Sequence, residues 1–346
     1  MSLIEILYPQ YKIVSIVGMA KNSGKTFTLN KIIEDAIEKF ITLGLTSTGR
    51  DGESQDIVTK TEKPPIYAER GTLIATAEDT LELGDAKIEI LQTTEYNTPL
   101  GNIVIGRIKE SGYVQIAGPQ TNKGIKAVSD IMLKLGAQLV LIDGAINRVA
   151  SASPSVSEGV VLASGAVISR DINKVVEETI HTINLFQLPE VKDKKARDII
   201  EELIENGEAA IIDDQYKVNY LDIKTALNGG TIISQNITDN SKYVVLPGSL
   251  VKKTIDDIVS TTDKYKNVKF VVNDGTKIFI DVKDWLLYKR KGLNVEVLES
   301  VNVALVTLNP YSPEGYYFNQ EEFLLKMKEH IRDILVVDVM YGGGLI

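Results

Sequence analysis

Residues 18–26, Gly-Met-Ala-Lys-Asn-Ser-Gly-Lys-Thr, combine residue types that bind phosphate groups in proteins. Gly24 lets a ligand approach the backbone closely because it has no Cβ atom, and the helix start that follows supplies unpaired N–H groups. The Lys25 ammonium group has the length and charge to reach the β- and γ-phosphates of a nucleotide. The Thr26 hydroxyl is a suitable oxygen ligand for Mg²⁺. The segment therefore predicts binding of a nucleotide together with Mg²⁺.

The segments on either side of this loop predict the strand and the helix that must position it. Residues 13–17 form a short apolar run rich in β-branched side chains, which indicates a buried strand. Residues 26–43 carry apolar side chains at helical spacing, and Gly44 is placed to end that helix. Strand, loop and helix in this order are typical of a phosphate-binding P-loop. The candidate nucleotide-binding residues are Gly18, Lys21, Asn22, Ser23, Gly24, Lys25, Thr26 and Phe27.

The two glycines of the loop are one residue further apart than in the most common P-loop pattern, whose first glycine would fall at Met19. The observed spacing, with Gly18 first, resembles that of dethiobiotin synthetase and related amide-forming ATPases. Residues 22–26, Asn-Ser-Gly-Lys-Thr, also resemble the loop of the molybdopterin-guanine dinucleotide adaptor proteins. The first resemblance implies an ATP-dependent ligase, and the second implies a nucleotide-sensing adaptor with little turnover.

Two acidic residues follow predicted strands in the same half of the chain. Asp51 lies in a charged, glycine-flanked cluster after residues 45–48, which are expected to form a strand beside the first one. Asp143 follows the apolar run 138–142, and an apolar strand that ends in Asp is the Walker-B pattern. Because parallel strands present their carboxyl ends at one edge of a sheet, we expect Asp51 and Asp143 to share Mg²⁺ with Thr26.

Catalysis at such a site requires positioned charges and no covalent chemistry from the protein. The candidate catalytic residues are Lys25, Asp51, Asp143 and Arg148. Arg148 is interpreted either as an arginine finger or as a residue that packs structurally, and the sequence leaves both roles open. The chain has no Asn-Lys-x-Asp motif that would contact a guanine base, which favours ATP over GTP.

Composition limits the classes of function that need to be considered. The chain has 346 residues, a formal net charge of −9 and no cysteine. The negative charge argues against general binding of nucleic acid or of an anionic membrane, since phosphate contacts need clustered Lys and Arg. Without cysteine there is no disulfide framework and no thiolate metal site, which is consistent with a cytoplasmic protein. We find neither an apolar run long enough for a membrane helix nor a basic and then apolar leader.

The order of predicted elements favours an α/β fold, with a P-loop NTPase-like, mostly parallel sheet, flanking helices and a second α/β domain. A charged run at 192–195 suggests a nucleotide-binding domain over 1–190 and a second domain over 191–346. The segments 102–108 and 113–117 are expected to form a hairpin or a paired sheet edge, and 273–276 a hairpin turn. Strand candidates in the second half are 209–212, 231–234, 243–246, 269–272, 303–308 and 335–339.

Three motifs taken together resemble one protein family, and the resemblance runs along most of the chain. They are residues 18–26, Thr-Gly-Arg-Asp-Gly-Glu at 48–53 and Leu-Ile-Asp-Gly-Ala-Ile-Asn-Arg at 141–148. They resemble the reactivase subunit encoded beside lysine 5,6-aminomutase in amino-acid-fermenting anaerobes. The resemblance implies an ATP-dependent chaperone that exchanges damaged cobalamin for intact coenzyme on the aminomutase, with a MutS-like ATPase as partner subunit. The ligase and the adaptor remain alternatives, and the sequence is compatible with a homo-oligomer.

Overall fold

The computed structural model describes residues 2–48, 66–144, 152–223 and 226–339. The chain forms two compact units. The first unit comprises Met1–Thr179 together with Asn302–Ile346, and the second comprises Ile180–Val301. In sequence, the second unit is therefore an insertion into the first.

Strands and helices are numbered in chain order. The strands are β1 (Ile13–Gly18), β2 (Leu43–Ser47), β3 (Ile66–Ala68), β4 (Leu73–Ala77), β5 (Lys87–Thr98), β6 (Gly101–Glu110), β7 (Gly112–Val114), β8 (Leu139–Gly144), β9 (Gly159–Gly165), β10 (Ala210–Asp213), β11 (Val218–Tyr220), β12 (Ser241–Val245), β13 (Leu250–Val251), β14 (Lys269–Val272), β15 (Ile278–Phe279), β16 (Asn294–Val297), β17 (Val303–Asn309) and β18 (Leu335–Asp338). The helices are α1 (Leu3–Leu7), α2 (Lys25–Glu38), α3 (Asn122–Lys134), α4 (Ile172–Phe186), α5 (Lys194–Glu205), α6 (Ala226–Asn236), α7 (Lys252–Thr261), α8 (Val282–Arg290) and α9 (Gln320–His330). Among the residues that the structure describes, no helix is long and apolar enough to cross a membrane.

The first unit is built on a nine-stranded sheet with the order β18-β17-β9-β1-β8-β2-β4-β6-β5. The strands from β18 to β4 pair in parallel, and β6 and β5 add an antiparallel end. The predicted α/β architecture, with a mostly parallel central sheet and flanking helices, is confirmed. The expected position of β2 beside β1 is wrong, because β8 lies between these two strands and pairs with both.

Helices cover both faces of this sheet. Because successive strand residues point to opposite faces, one strand can contact helices on both sides. Val14 of β1 belongs to a buried cluster with Leu29 and Ile32 of α2. Its neighbour Ile13 belongs to a different buried cluster, which contains Val128 of α3. Burial on both faces explains why β1 and β8 are continuous apolar runs without polar alternation. The two runs are thereby fixed in the middle of the sheet, and so are their carboxyl ends.

The segments 102–108 and 113–117 do not pair with each other as expected. β6 pairs with β5, the strand before it, and β7 pairs with β3. Gly112 lies between the two segments, where a hairpin would turn, but it is needed for close packing. A Cβ atom at Gly112 would lie 2.6 Å from Asp85 Oδ1 and 2.8 Å from Ala86 N. A glycine required for close approach cannot be distinguished in sequence from one required for a turn.

The second unit has its own five-stranded sheet with the order β11-β10-β12-β14-β16. β12, β14 and β16 pair in parallel, whereas β10 pairs antiparallel with both β11 and β12. Buried side chains from these strands and from α5 to α8 form two hydrophobic clusters. Two local predictions are wrong here. Residues 231–234 lie in α6 rather than in a strand, and residues 275–277 form a 3₁₀ turn between β14 and β15 rather than a hairpin.

The division of the chain differs from the predicted boundary at 190. The first unit ends at Thr179 and resumes at Asn302, so β17 and β18 belong to the nine-stranded sheet and not to a second domain over 191–346. The charged run 192–195 is the start of α5, where Asp193 is the N-cap residue and accepts a hydrogen bond from Ala196 N. A solvated helix start and a linker have similar compositions, which explains the misplaced boundary.

The Asp193 carboxylate is held by several donors within the second unit. It accepts hydrogen bonds from Lys242 Nζ at 2.8 Å, from the Tyr216 hydroxyl at 2.9 Å and from Ala196 N at 3.2 Å. Lys242 above all, followed by the Ala196 amide, lowers the pKa of Asp193 from 3.8 to about 2. Because the folded pKa is the lower one, the carboxylate stabilises the fold above about pH 4, and this contribution is lost as the pH falls towards about 2.

We expect Asp193→Asn to be less stable than the parent protein at neutral pH. The difference in the free energy of unfolding should shrink as the pH falls from about 4 to about 2, where the parent carboxylate becomes protonated. Asn is about as good an N-cap residue as Asp, so the comparison isolates the charge. Urea unfolding of both proteins at a series of pH values measures the difference. A difference that stays constant over this range would contradict the role of the Asp193 charge.

Candidate functional site

The carboxyl ends of β1 and β8 lie side by side. These strands pair in parallel, with Ile16 opposite Asp143 and Val17 opposite Gly144. Lys25 begins α2, and its Nζ atom lies 2.7 Å from Asp143 Oδ1 and donates a hydrogen bond to the Gly144 carbonyl oxygen at 2.6 Å. The side chains of Lys25 and Asp143 are mostly buried, with exposed fractions of 18% and 14%. The structure thus brings two of the sequence-predicted site residues into direct contact.

This ion pair has a consequence for anion binding. A phosphate group at the loop would have to draw the Lys25 ammonium away from the Asp143 carboxylate and the Gly144 carbonyl oxygen. An ammonium group binds anions as a point charge on a flexible stem, so it can exchange partners without a change in the backbone. A polyphosphate carries several negative charges and Asp143 carries one, so the exchange favours the polyphosphate.

The loop between β1 and α2 has a backbone conformation that few residues adopt easily. Asn22 has a φ of 64° and Gly24 a φ of 98°, both in the left-handed region. A hydrogen bond of 3.2 Å from Ser23 N to the Ala20 carbonyl oxygen closes the turn. Gly24 is the N-cap residue of α2 and, as a glycine, has no side chain to cap the first helical turn. As far as the described residues show, the N–H groups of that turn are therefore left for a ligand or for water.

The Ser23 hydroxyl supports a ligand inside this loop. Ser23 is only 1% exposed, and within the described part of the chain its Oγ atom has no hydrogen-bond partner. The hydroxyl lies against Gly18, since a Cβ atom at Gly18 would be 2.6 Å from Ser23 Oγ. A buried hydroxyl without a partner costs about 1–3 kcal/mol. An anionic oxygen in the loop would satisfy it, so the residues present fit a phosphate group.

Gly24 is the loop position where a substitution should cause the largest distortion. A Cβ atom there would lie 2.7 Å from Asn309 Cβ, in addition to the strain of a φ of 98°. Gly136 is a matched control, because its φ is 107° and nothing lies within 4 Å of an added Cβ atom. We expect Gly136→Ala to lower the free energy of unfolding by about 1–2 kcal/mol and Gly24→Ala by roughly 1–3 kcal/mol more. Urea unfolding measures both, and equal losses would show that Gly24 is not confined by Asn309.

The other predicted loop residues differ in their exposure. Lys21 and Asn22 are exposed, Thr26 is half-buried in the first turn of α2, and Phe27 is 48% exposed. Within the described ranges, no group of three or more His, Cys, Asp or Glu side chains is placed to hold a metal ion. Mg²⁺ does not require such a group, because it keeps several waters and binds through one or two protein ligands and substrate phosphates. Thr26 and Asp143 fit that pattern.

Two predicted site residues, Asp51 and Arg148, lie outside the described residues. Thr48 is the last described residue before Asp51, and its N atom donates a hydrogen bond of 3.0 Å to the Asp143 carbonyl oxygen. The carboxyl end of β2 is therefore next to that of β8, in agreement with the pairing of these strands. The metal role of Asp51 and the finger role of Arg148 stay predictions.

Asn309 belongs to this site, although it is not among the residues predicted from sequence. It is the last residue of β17, and its Nδ2 atom donates a hydrogen bond of 3.2 Å to the Asn22 carbonyl oxygen. A signal is present in the sequence, since the mostly apolar run 303–308 is followed by the polar residue Asn309, as the run 138–142 is followed by Asp143. The predicted boundary at 190 places this run in the second domain, and therefore away from the loop at 18–26.

Asp338 is a further carboxylate at the end of a buried strand. It ends β18 and is itself buried. In the sheet order, β18 lies three places from β1, whereas β8 is adjacent to β1. Three strand spacings correspond to about 14 Å, which is too far for a shared metal ion. Strand order therefore selects Asp143, and not Asp338, as the carboxylate beside the end of β1.

The chain was compared with protein-family models and with curated protein sequences, and neither comparison finds a match. The family resemblances of the motifs therefore stay predictions.

Proposed function

We propose that this protein binds Mg²⁺–ATP in a P-loop at the carboxyl ends of β1 and β8 and hydrolyses the nucleotide. The observation that carries the proposal is the contact between Lys25 and Asp143 across paired strand ends, beside the loop bounded by Gly18 and Gly24. A cation for phosphate and a carboxylate for Mg²⁺, next to an uncapped helix start, are the groups that phosphoryl transfer requires. The parallel sheet supports the location, since open α/β sheets bind ligands beyond the carboxyl ends of their strands.

The residues of the site divide into those that bind phosphate and those that stabilise charge. The N–H groups of the loop and of the first turn of α2 bind phosphate oxygens. Lys25 moves from Asp143 to the phosphates and stabilises the charge that develops on the transferred group. Thr26 and Asp143 supply oxygen ligands for Mg²⁺, which neutralises charge on the β- and γ-phosphates when it is bound. Asp51 and Arg148 are proposed to position the attacking water and to contact the γ-phosphate.

ATP is proposed as the nucleotide rather than GTP. The chain has three Asn-Lys pairs, at Asn30, Asn122 and Asn173, and none has, two residues after the Lys, the Asp that would bind a guanine edge. Asn122 is the first residue of α3, and Asn173 lies in the first turn of α4, where its Oδ1 atom accepts a hydrogen bond from Lys326. Asn30 lies within α2, so all three pairs lie in helices.

We propose as the physiological role an ATP-dependent reactivating chaperone for lysine 5,6-aminomutase, acting with a MutS-like partner subunit. The support for this role is the resemblance of the motifs at 18–26, 48–53 and 141–148. Lys25 and Asp143, which belong to two of these motifs, lie in one site. The second unit has its own sheet and its own buried clusters, which makes it a candidate for binding a partner.

The nucleotide site and the physiological role can be tested separately. Calorimetric titration with Mg²⁺–ATP, with Mg²⁺–GTP for comparison, and an assay of phosphate release test the site. Absence of binding by the parent protein would refute the site. Reconstitution of a cobalamin-inactivated aminomutase with this protein, the MutS-like subunit, ATP and Mg²⁺ tests the role. Activity that is not restored, although ATP binds, would refute the role alone.

A carboxylate-activating ligase is a second candidate, favoured by the loop spacing that begins at Gly18. Such an enzyme transfers the γ-phosphoryl group of ATP to a carboxylate oxygen, and an amine then displaces phosphate from the acyl phosphate. The released phosphate keeps one oxygen of the carboxylate, so an isotopic label in the carboxylate would appear in phosphate. Hydrolysis without transfer of the label, in a screen of carboxylate substrates, would count against the ligase.

A further inference from the structure

Asn309 lies in the segment with which the chain returns to the first unit. It ends β17 and is 6% exposed. β17 pairs in parallel with β9, where Asn309 is opposite Gly165, and β9 pairs with β1 on its other side. The end of β17 is therefore at the same edge of the sheet as Gly18, two strands away.

The Asn309 side chain contacts the phosphate loop in two ways. Its Nδ2 atom donates a hydrogen bond of 3.2 Å to the Asn22 carbonyl oxygen. Its Cβ atom lies 2.7 Å from the position that a Cβ atom on Gly24 would take, so Gly24 packs directly against it. The Oδ1 atom accepts a hydrogen bond of 3.1 Å from Tyr311 N, and this bond fixes the orientation of the amide.

These contacts hold one peptide unit of the loop at both ends. The peptide between Asn22 and Ser23 is planar, so its C=O and N–H groups point in opposite directions. Asn309 binds the carbonyl oxygen, and the Ala20 carbonyl oxygen accepts a hydrogen bond from the N–H group, which is Ser23 N. Asn22 has a φ of 64°, in the left-handed region, which Asn adopts more readily than most other residues with a side chain.

We propose that Asn309 is a positioning residue that keeps the loop in the conformation that binds the phosphate groups of a nucleotide. It acts through the Asn22 peptide and through packing against Gly24. The inference rests on the proposed function for the nature of the ligand. It adds that the nucleotide site needs the chain segment that follows the inserted unit, and that residues 1–190 are not sufficient to form it.

Two substitutions of Asn309 and one control test this role. Asn309→Ala removes the amide, and Asn309→Asp keeps its shape while replacing the N–H donor with an oxygen that repels the Asn22 carbonyl. Asn302→Ala is the matched control, because Asn302 precedes the same strand and its Nδ2 atom donates to the Tyr11 hydroxyl at 3.3 Å. Amide hydrogen exchange of residues 19–28, in protein without nucleotide, measures the order of the loop. Exchange of β1 in the same samples reports on the fold, and calorimetry gives the Kd for Mg²⁺–ATP.

We expect both Asn309 variants to exchange the loop amides roughly three- to tenfold faster and to bind Mg²⁺–ATP roughly three- to tenfold more weakly than the parent. β1 exchange and the control should stay unchanged. Unchanged loop exchange would overturn the positioning role, whether or not the protein binds ATP. Faster loop exchange with an unchanged Kd would overturn the connection with the nucleotide. Failure of the proposed function is distinguishable, because it appears as a parent protein that binds no Mg²⁺–ATP.

Discussion

Lys25→Ala is expected to weaken the binding of Mg²⁺–ATP by about 100-fold, since it removes hydrogen bonds from a charged donor that each contribute about 1.5–3 kcal/mol. Hydrolysis of the bound nucleotide should fall by a further factor of about 100–1,000, because the ammonium group is proposed also to stabilise charge that develops only in the transition state. Calorimetric titration measures the first effect, and phosphate release at saturating ATP measures the second.

The control for this variant is Lys39→Ala. Lys39 caps the other end of α2 and pairs with Glu5 at the surface at 2.6 Å, so the substitution makes the same change in net charge on the same helix. We expect parent-like binding and hydrolysis in the control. Parent-like binding in Lys25→Ala would instead refute the assignment of the loop as the nucleotide site.

Lys25→Ala also has an effect that does not depend on nucleotide. It leaves the mostly buried Asp143 carboxylate without the ion pair at 2.7 Å, and an unpaired buried charge destabilises a fold more than the loss of the whole pair does. The double variant Lys25→Ala/Asp143→Asn should therefore recover part of the free energy of unfolding but none of the nucleotide binding. Urea unfolding of the single and double variants separates the stability effect from the binding effect.

The predictable parts of the site are those that a few consecutive residues encode. The apolar run before Gly18 forms β1, and the run before Asp143 forms β8. Gly24, whose own backbone is in the left-handed region, is the N-cap residue of α2. Each of these assignments needs only local chemistry. The contact of Lys25 with Asp143 then follows from one further rule, that parallel strands present their carboxyl ends at the same edge of a sheet.

The parts that were not predictable depend on strand order, which local sequence does not encode. Nothing within residues 43–47 indicates that β8 separates β2 from β1. Nothing within residues 303–309 indicates a return to the first sheet after the insertion 180–301. The local pattern at Asn309 therefore resembles that at Asp143, but it does not show which residues Asn309 contacts. Only the register of β17 with β9 places it against Asn22 and Gly24.

Asp143→Asn is expected to act on Mg²⁺ dependence rather than on nucleotide affinity as such. The amide keeps the shape of the carboxylate but loses the charge that attracts Mg²⁺, so hydrolysis at saturating Mg²⁺–ATP should fall by about 100–1,000-fold. ATP without Mg²⁺ should bind as tightly as in the parent or several-fold more tightly. In the parent, Asp143 holds Lys25 in an ion pair and repels the phosphates, and the substitution removes both effects. Titrations with ATP, with and without Mg²⁺, measure the two affinities.

Asp338→Asn makes the same chemical change at another strand end and is the control for the Asp143→Asn variant. Asp338 is buried and ends a parallel strand as Asp143 does, but β18 lies three places from β1. We expect it to leave the Mg²⁺ dependence of binding and hydrolysis unchanged, since about 14 Å separates such strand ends. If Asp143→Asn kept the Mg²⁺ dependence of the parent, the contact with Lys25 would be a structural ion pair. If both variants lost the Mg²⁺ dependence of the parent, the effect would come from the stability of the sheet and not from a metal ligand at the end of β8.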